Sequence, residues 1–225
     1  MISTVVTILA CNVIAGQYAV AIAAVGLLST LGMMMLISAG DLIALYLGLE
    51  LMSLALYVVA AFHRDDERSS EAGLKYFVLG ALSSGMLLYG SSLIYGYAGT
   101  VSFTGIAAAL QGGVSIGVIF GLVFVLAGLA FKMSIVPFHM WTPDVYEGSP
   151  PAVTAWLSVG SKGAGFVGLL SVCYLALPTV ADLWGPVLWL VAALSMTVGN
   201  IVAIKQTNVI RLLGFSSIAQ AGFML

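Results

Sequence analysis

Hydrophobic residues occupy this sequence in long blocks, with short polar stretches between them. Most blocks extend over about 20 residues, the length of helix that crosses the hydrocarbon core of a bilayer. The pattern predicts an all-α, polytopic transmembrane helical bundle of about six to seven spans. The full-length blocks cover about residues 18–39, 42–62, 73–97, 114–138, 152–177 and 185–204, and a last block begins near residue 209. Such uninterrupted blocks exclude a transmembrane β-barrel, whose strands alternate apolar and polar positions over about 10 residues.

The two ends of the chain carry incomplete blocks. Residues 1–15 are apolar but too short to span a bilayer, and the last block is still apolar at Leu225. We expect residues 1–15 to be the remnant of a transmembrane helix and the chain to be a fragment of a larger membrane protein.

Composition supports a membrane protein and narrows its chemistry. Hydrophobic residues make up 61% of the chain and charged residues 7%, against roughly 25% charged residues in soluble domains. The formal net charge is −2, and nothing resembles the basic surface of a nucleic-acid-binding protein. No glycine-rich phosphate loop, cysteine cluster or histidine pair predicts a redox cofactor or a metal. We expect a lipid bilayer as a partner, no nucleic acid, and no cofactor bound by this chain.

The few basic residues between the blocks predict the orientation. They lie in two loops, at residues 63–71 and 205–211, which are an even number of spans apart and therefore face the same side. The intervening loops on the other side contain neither lysine nor arginine. By the positive-inside rule these two loops, together with the loop at 142–151, are predicted to be cytoplasmic. The basic residues are Arg64, Arg68, Lys205 and Arg211.

Four ionisable side chains lie inside the apolar blocks: Glu50, Lys75, Lys132 and Lys162. A lysine near the middle of a membrane helix costs roughly 2.5–3.5 kcal/mol on insertion scales, so such residues indicate ion handling. Glu50 lies near mid-bilayer, and Lys75 lies near the cytoplasmic end of the next helix. We expect these two to form a pair whose protonation responds to nearby charge. A static ion pair, or a Lys75 that snorkels to the interface, are the alternatives.

A helix break is predicted near Pro137, five residues after Lys132. A proline inside a helix removes one backbone hydrogen bond and clashes with the carbonyl four residues back, here that of Met133. A broken membrane helix exposes carbonyl groups that can hold a cation or order water. His139 follows two residues later and titrates near physiological pH. The alternatives are a purely structural kink and a histidine bonded to a backbone carbonyl.

Lys162 lies in a glycine-rich segment at 157–168. The glycines serve close helix packing or leave room for water beside the lysine. With Glu50, Lys75 and Lys132, this lysine would complete a relay of protonatable groups.

The polar segment before this helix is predicted to lie at the membrane interface. Trp141 and Tyr146 have the character of interfacial aromatic residues. Asp144 and Glu147 are predicted to be helix-cap or loop charges.

Several segments closely resemble subunit N of the bacterial proton-pumping NADH:quinone oxidoreductase, respiratory complex I, within its antiporter-like family. They include GDLIALYLGLELMSLALYV at 40–58, KYFVLG at 75–80 and FKMSIVPFHMWTPDVYEG at 131–148. Segments 157–166 and 195–217 resemble the family too, and the likeness extends from about Gly16 to Leu225.

The resemblance implies two inverted five-helix repeats, with residues 16–178 as the first repeat and 179–225 as the start of a truncated second. It implies proton translocation in the cell inner membrane by Glu50, Lys75, Lys132 and Lys162, and we add His139 to these candidates. It also implies other membrane-arm subunits as partners, with NADH, FMN, iron–sulfur clusters and quinone bound elsewhere in the complex. Two other functions use the same residues: a subunit of a multisubunit sodium/proton antiporter, and a scaffold whose charges only hold helices together.

Overall fold

A computed structural model describes residues 19–63 and 65–225; the predicted remnant at 1–15 and the loop residue Arg64 lie outside them. In the described residues the chain forms helices and no strand, with one isolated bridge between Asp41 and Ser102. The helices are α1 (Ala19–Ile37), α2 (Leu42–Ala60), α3 (Glu67–Ala98), α4 (Phe103–Ala109), α5 (Ile116–Met133), α6 (Trp141–Gly148), α7 (Pro151–Ala176), α8 (Ala181–Ile204) and α9 (Val209–Met224).

Six of the described helices are long and apolar enough to cross a membrane: α1, α2, α3, α5, α7 and α8. Helix α9 is apolar but shorter. The predicted all-α bundle of six to seven spans is therefore confirmed. Two of these helices begin with a side-chain cap: Asp41 accepts a hydrogen bond from the Ala44 N–H at 2.7 Å at the start of α2, and Asn208 accepts one from the Ile210 N–H at 2.8 Å at the start of α9.

Helices pack in pairs, and glycines bring some of them close. Helix α1 packs on α2, α3 on α5, and α8 on α9. A Cβ atom at Gly48 would lie 2.5 Å from the backbone nitrogen of Leu36, and one at Gly121 would lie 2.8 Å from the Ile94 side chain. Small residues thus let the helix backbones approach, as in other membrane bundles.

The predicted break near Pro137 is confirmed, and the helix ends before the proline. Helix α5 stops at Met133, because Ser134 adopts a left-handed backbone conformation with φ 60°. The N–H of Val136 then donates to the Ser195 hydroxyl of α8 at 2.9 Å, which ties the irregular segment to a neighbouring helix.

Two predicted loops contain helix. Residues 141–148, expected to be mostly loop, form α6, and the stretch between α3 and α5 contains α4. The polar residues from Glu67 to Glu71 already belong to α3, so that helix extends well beyond its apolar block.

Candidate functional site

Lys132 lies at the centre of the described bundle and is only 2% exposed. Its Nζ donates a hydrogen bond to the Tyr76 hydroxyl at 3.4 Å. The same atom lies 5.3 Å and 5.2 Å from the ring centroids of Tyr57 and Tyr76. No carboxylate of residues 19–63 or 65–225 forms a salt bridge with it. Aromatic rings and one hydroxyl therefore surround the ammonium group. The ring faces attract this cation, whereas its burial away from water penalises the charge.

An aromatic stack forms one wall of this environment. Tyr76 stacks on Trp141 with ring centroids 4.5 Å apart, and the Trp141 indole N–H donates to the Phe131 carbonyl at 3.0 Å. Trp141 and Tyr146 are 1% and 2% exposed, so they pack inside the protein and do not form an aromatic belt against lipid. The break at Ser134 returns the chain against α3, and the indole then pairs with a carbonyl in the last turn of α5.

Glu50 belongs to this buried region too, as the ninth residue of α2. The Ser84 hydroxyl of α3 donates a hydrogen bond to the Glu50 carboxylate. Glu50 also interacts electrostatically with Lys132 and with Tyr57. Glu50 therefore lies within electrostatic range of Lys132, although no salt bridge joins the two in the described residues.

The predicted Glu50–Lys75 pair is wrong. Ser84, which contacts Glu50, is nine residues farther along α3 than Lys75, which is about 13 Å at the rise of an α-helix. Lys75 instead forms ion pairs with Glu71 at 2.7 Å and with Asp144 at 2.8 Å, and its side chain is 41% exposed. The alternative in which Lys75 reaches the interface fits these contacts.

Around Lys75 lies an acid–base cluster that joins α3, α6 and α9. Its members are Arg68, Glu71, Lys75, Asp144, Glu147 and Arg211, which surround a cavity of about 230 Å³. Arg211 Nη1 donates to both Asp144 Oδ1 and Glu147 Oε2, each at 2.8 Å. Burial alone would raise the pKa of the Asp144 carboxyl, but hydrogen bonds from Lys75 and Arg211 outweigh burial and hold this pKa below its ordinary value.

The acid–base cluster was not predicted from the sequence. Asp144 and Glu147 were interpreted as cap or loop charges, although their i, i+3 spacing could have indicated one face of a helix. The cluster contains side chains from each of the three segments that were predicted to face the cytoplasm. These segments therefore lie next to one another, and the prediction that they share one side of the membrane is confirmed.

Lys162 lies on α7, directly after the π-helical turn Leu157–Ser161, and is 6% exposed. Its Nζ donates to the Ser217 hydroxyl of α9 at 2.8 Å and approaches the Ser217 carbonyl at 3.4 Å. The Tyr146 ring centroid lies 5.6 Å away. π-helical turns recur at functional sites because they redirect side chains. Lys162 is therefore held in place by groups of α6 and α9.

The glycines near Lys162 differ in their surroundings. A Cβ atom at Gly165 would lie 3.3 Å from Met133 Cγ and 3.5 Å from Lys132 Cβ, so α7 packs closely against the Lys132 stem. A Cβ atom at Gly163 would meet nothing within 4 Å, and Gly163 borders a cavity of about 740 Å³ beside Lys162.

His139 lies in the break between α5 and α6 and is half-buried. Burial lowers the pKa of its imidazole, and its buried Nδ1 has no hydrogen-bond partner in the described part of the chain. No hydrogen bond joins His139 to Lys132 there. Nor do residues 19–63 and 65–225 contain a group of three or more His, Cys, Asp or Glu side chains that could hold a metal ion.

Known proteins share this arrangement of helices. The family model described as NADH:quinone oxidoreductase/Mrp antiporter, TM, matches residues 39–225. The chain belongs to this family. A relative from Beijerinckia indica subsp. indica, named NADH-quinone oxidoreductase subunit N, is 64% identical over 199 residues, which are 88% of this chain and 42% of the relative. The resemblance to subunit N and the multi-pass membrane location are therefore confirmed.

Two solved structures of family members show the same fold. A chain of respiratory complex I from Thermus thermophilus superposes with a TM-score of 0.78 at 39% identity, over 90% of this chain and 44% of that one. A chain of the Mrp complex from Dietzia sp. superposes with a TM-score of 0.86 at 27% identity, over 99% and 42%. The chain thus spans less than half the length of these family members.

Proposed function

We propose that this chain is part of a membrane-arm subunit of a proton-translocating NADH:quinone oxidoreductase, and that ionisable side chains within the bundle and at its polar end carry the protons. The observation that supports this proposal best is Lys132, an almost fully buried lysine that forms no salt bridge with a carboxylate of the described residues. A buried ammonium group in contact with a carboxylate could not lose its proton without leaving an unpaired buried charge, which is costly. Lys132 is free of that constraint.

Glu50 would control the charge of Lys132. An ionised Glu50 stabilises the Lys132 ammonium group, and protonation of Glu50 withdraws that stabilisation. Lys162 would be the next group in the relay, on α7, which packs against the Lys132 stem at Gly165. Lys75 would act at the acid–base cluster, as the proposed point of proton entry, and His139 would assist transfer at the helix break. These five residues are the proposed proton-translocating groups.

The organisation and partners follow from the same family. We infer that residues 16–178 form the first antiporter-like repeat and that 179–225 begin the second. The acid–base cluster would face the cytoplasm, at the inner face of the cell membrane, together with residues 63–71, 142–151 and 205–211. NADH, FMN, the iron–sulfur clusters and quinone would be bound by partner subunits, which would deliver the redox energy to this one.

A second candidate function is a subunit of a sodium/proton antiporter without a redox partner. It is favoured by the fold, because the Mrp chain superposes better than the complex I chain. The identities favour the oxidoreductase, at 39% against 27%.

Purification from the membranes of the natural host distinguishes the two functions. With an affinity tag on the intact subunit, we expect flavin and iron–sulfur absorbance to co-elute with NADH:quinone activity. Elution without these absorbances, together with sodium-dependent proton exchange in vesicles, would establish the antiporter instead.

A variant tests whether the charges act only as a scaffold. Glu50→Gln should strongly reduce NADH-driven proton uptake by inverted membrane vesicles, because the charge that acts on Lys132 is lost. Glu67→Gln removes an exposed carboxylate of the same type and should have no effect. Full activity of Glu50→Gln would support the scaffold.

A further inference from the structure

We propose that Ser217 of α9 is a positioning residue that holds Lys162 of α7 in its protonated form and in a fixed place. This proposal rests on the proposed function, because it gives Lys162 its role in proton transfer. Ser217 lies in an apolar segment and has no motif that identified it from the sequence.

The hydrogen bonds of the Ser217 hydroxyl indicate whether it donates to Lys162 or accepts from it. Its hydroxyl donates its single proton to the Gly214 carbonyl of the same helix at 2.8 Å. Only the lone pairs of that oxygen remain for Lys162, whose Nζ lies 2.8 Å away. While the hydroxyl donates to Gly214, it acts toward Lys162 as an acceptor, which matches a lysine that donates. The arrangement therefore favours the ammonium form of Lys162, and hydrogen bonds of this charge-assisted kind are the stronger ones.

The rest of the surroundings leaves Ser217 as the main polar partner of Lys162. The Tyr146 ring of α6 covers the ammonium group at 5.6 Å, and its hydroxyl lies close to Ser217 as well. Helix α1 carries no titratable side chain. The remaining titratable groups of α5, α6 and α9 bond elsewhere: Lys132 to Tyr76, and Asp144, Glu147 and Arg211 to one another or to Lys75.

The same helix links Lys162 to the acid–base cluster. Ser217 lies six residues after Arg211 on α9, about 9 Å along the axis. Arg211 anchors the start of α9 to Asp144 and Glu147 of α6. A shift of α9 against α7 would withdraw the acceptor from Lys162, so the position of α9 sets the protonation of this lysine.

A pair of substitutions of equal shape tests the role of the hydroxyl. Ser217→Val and Ser217→Thr add similar bulk beside the 740 Å³ cavity, but only the threonine keeps the hydroxyl. In inverted vesicles of the host, we expect Ser217→Val to lower NADH-driven proton uptake per assembled complex about tenfold. We also expect the alkaline limb of its pH profile to move about one unit toward acid pH, because the ammonium form has lost its acceptor. Ser217→Thr should stay within about twofold of the wild type.

Two further variants separate the possible outcomes. Ser216 borders the same cavity but forms no hydrogen bond with Lys162 in the described structure. Proton uptake by Ser216→Val should therefore also stay within about twofold of the wild type. Equal rates and equal pH profiles for Ser217→Val and Ser217→Thr would overturn the positioning role. Lys162→Ala decides the larger question: undiminished proton uptake in that variant would refute the proposed function, whereas its loss beside a normal Ser217→Val would refute the role of Ser217 alone.

Discussion

The partner of Lys75 decides how the cytoplasmic end of this bundle is interpreted, and double-mutant cycles can identify that partner. The structure pairs Lys75 with Asp144 at 2.8 Å and separates it from the contact between Glu50 and Ser84 by about 13 Å along α3. We therefore expect Lys75→Met and Asp144→Asn to be coupled in their effect on stability. We expect Lys75→Met and Glu50→Gln to be additive.

The expected coupling energy between Lys75 and Asp144 follows from the exposure of their side chains. The side chains of Lys75 and Asp144 are 41% and 31% exposed, so solvent screens the pair and a coupling of 0.2–1 kcal/mol is typical. Asp144 is also fixed by Arg211 at 2.8 Å, which reduces the entropy cost of the Lys75 contact. We expect a coupling energy of about 1 kcal/mol, which is about fivefold in a rate constant. Sites as far apart as Lys75 and Glu50 usually add within about 0.3–0.5 kcal/mol.

Thermal disassembly measures both cycles without requiring an active enzyme. Vesicles that carry the wild type, each single variant and each double variant are heated at one temperature, and the intact complex is followed on native gels. The logarithms of the disassembly rate constants give the coupling energies. Coupling of about 1 kcal/mol between Lys75 and Glu50, with additivity between Lys75 and Asp144, would refute the structural assignment.

Two other predictions concern packing and pH. Gly48→Ala should destabilise the bundle by about 1–3 kcal/mol, because its Cβ would lie 2.5 Å from the Leu36 backbone nitrogen. The Cβ of the control variant Gly85→Ala would meet nothing within 4 Å, so this variant should keep the stability of the wild type. Equal Tm values for the two variants would contradict the prediction. Because the pKa of Asp144 is lowered in the folded protein, its stabilising effect is complete above the ordinary aspartate value of about 4 and is lost as pH falls through the lowered pKa. The stability advantage of the wild type over Asp144→Asn should therefore be constant from about pH 5 upward and shrink in more acid buffer, and an advantage that grows there would contradict the assignment.

The sequence predicted the spans well because membrane helices follow from local composition. An apolar block of about 20 residues forms a helix wherever its neighbours lie, and the break near Pro137 follows from covalent geometry. Their positions inside apolar blocks selected Lys132 and Lys162 as candidates, and the structure places both side chains in buried surroundings.

The sequence did not predict the contacts between side chains of distant helices, because these contacts depend on which helix faces meet in the fold. The depth of Lys75 was predicted, but its partner depends on α6, a helix interpreted as a loop. Trp141 has the composition of an interfacial residue and is buried because the break returns α6 against α3. Ser217 carries no signal of its own, because a serine in an apolar segment usually bonds its own helix backbone.

The central claim is that Lys132 carries protons, and the proton yield of the purified complex tests it most directly. The complex with Lys132→Ala is reconstituted in liposomes, and protons translocated per NADH oxidised are compared with the wild type and with Lys205→Ala, which removes an exposed lysine. The account predicts an assembled complex with a clearly lower proton yield for Lys132→Ala and an unchanged yield for Lys205→Ala. A wild-type yield for Lys132→Ala would contradict it.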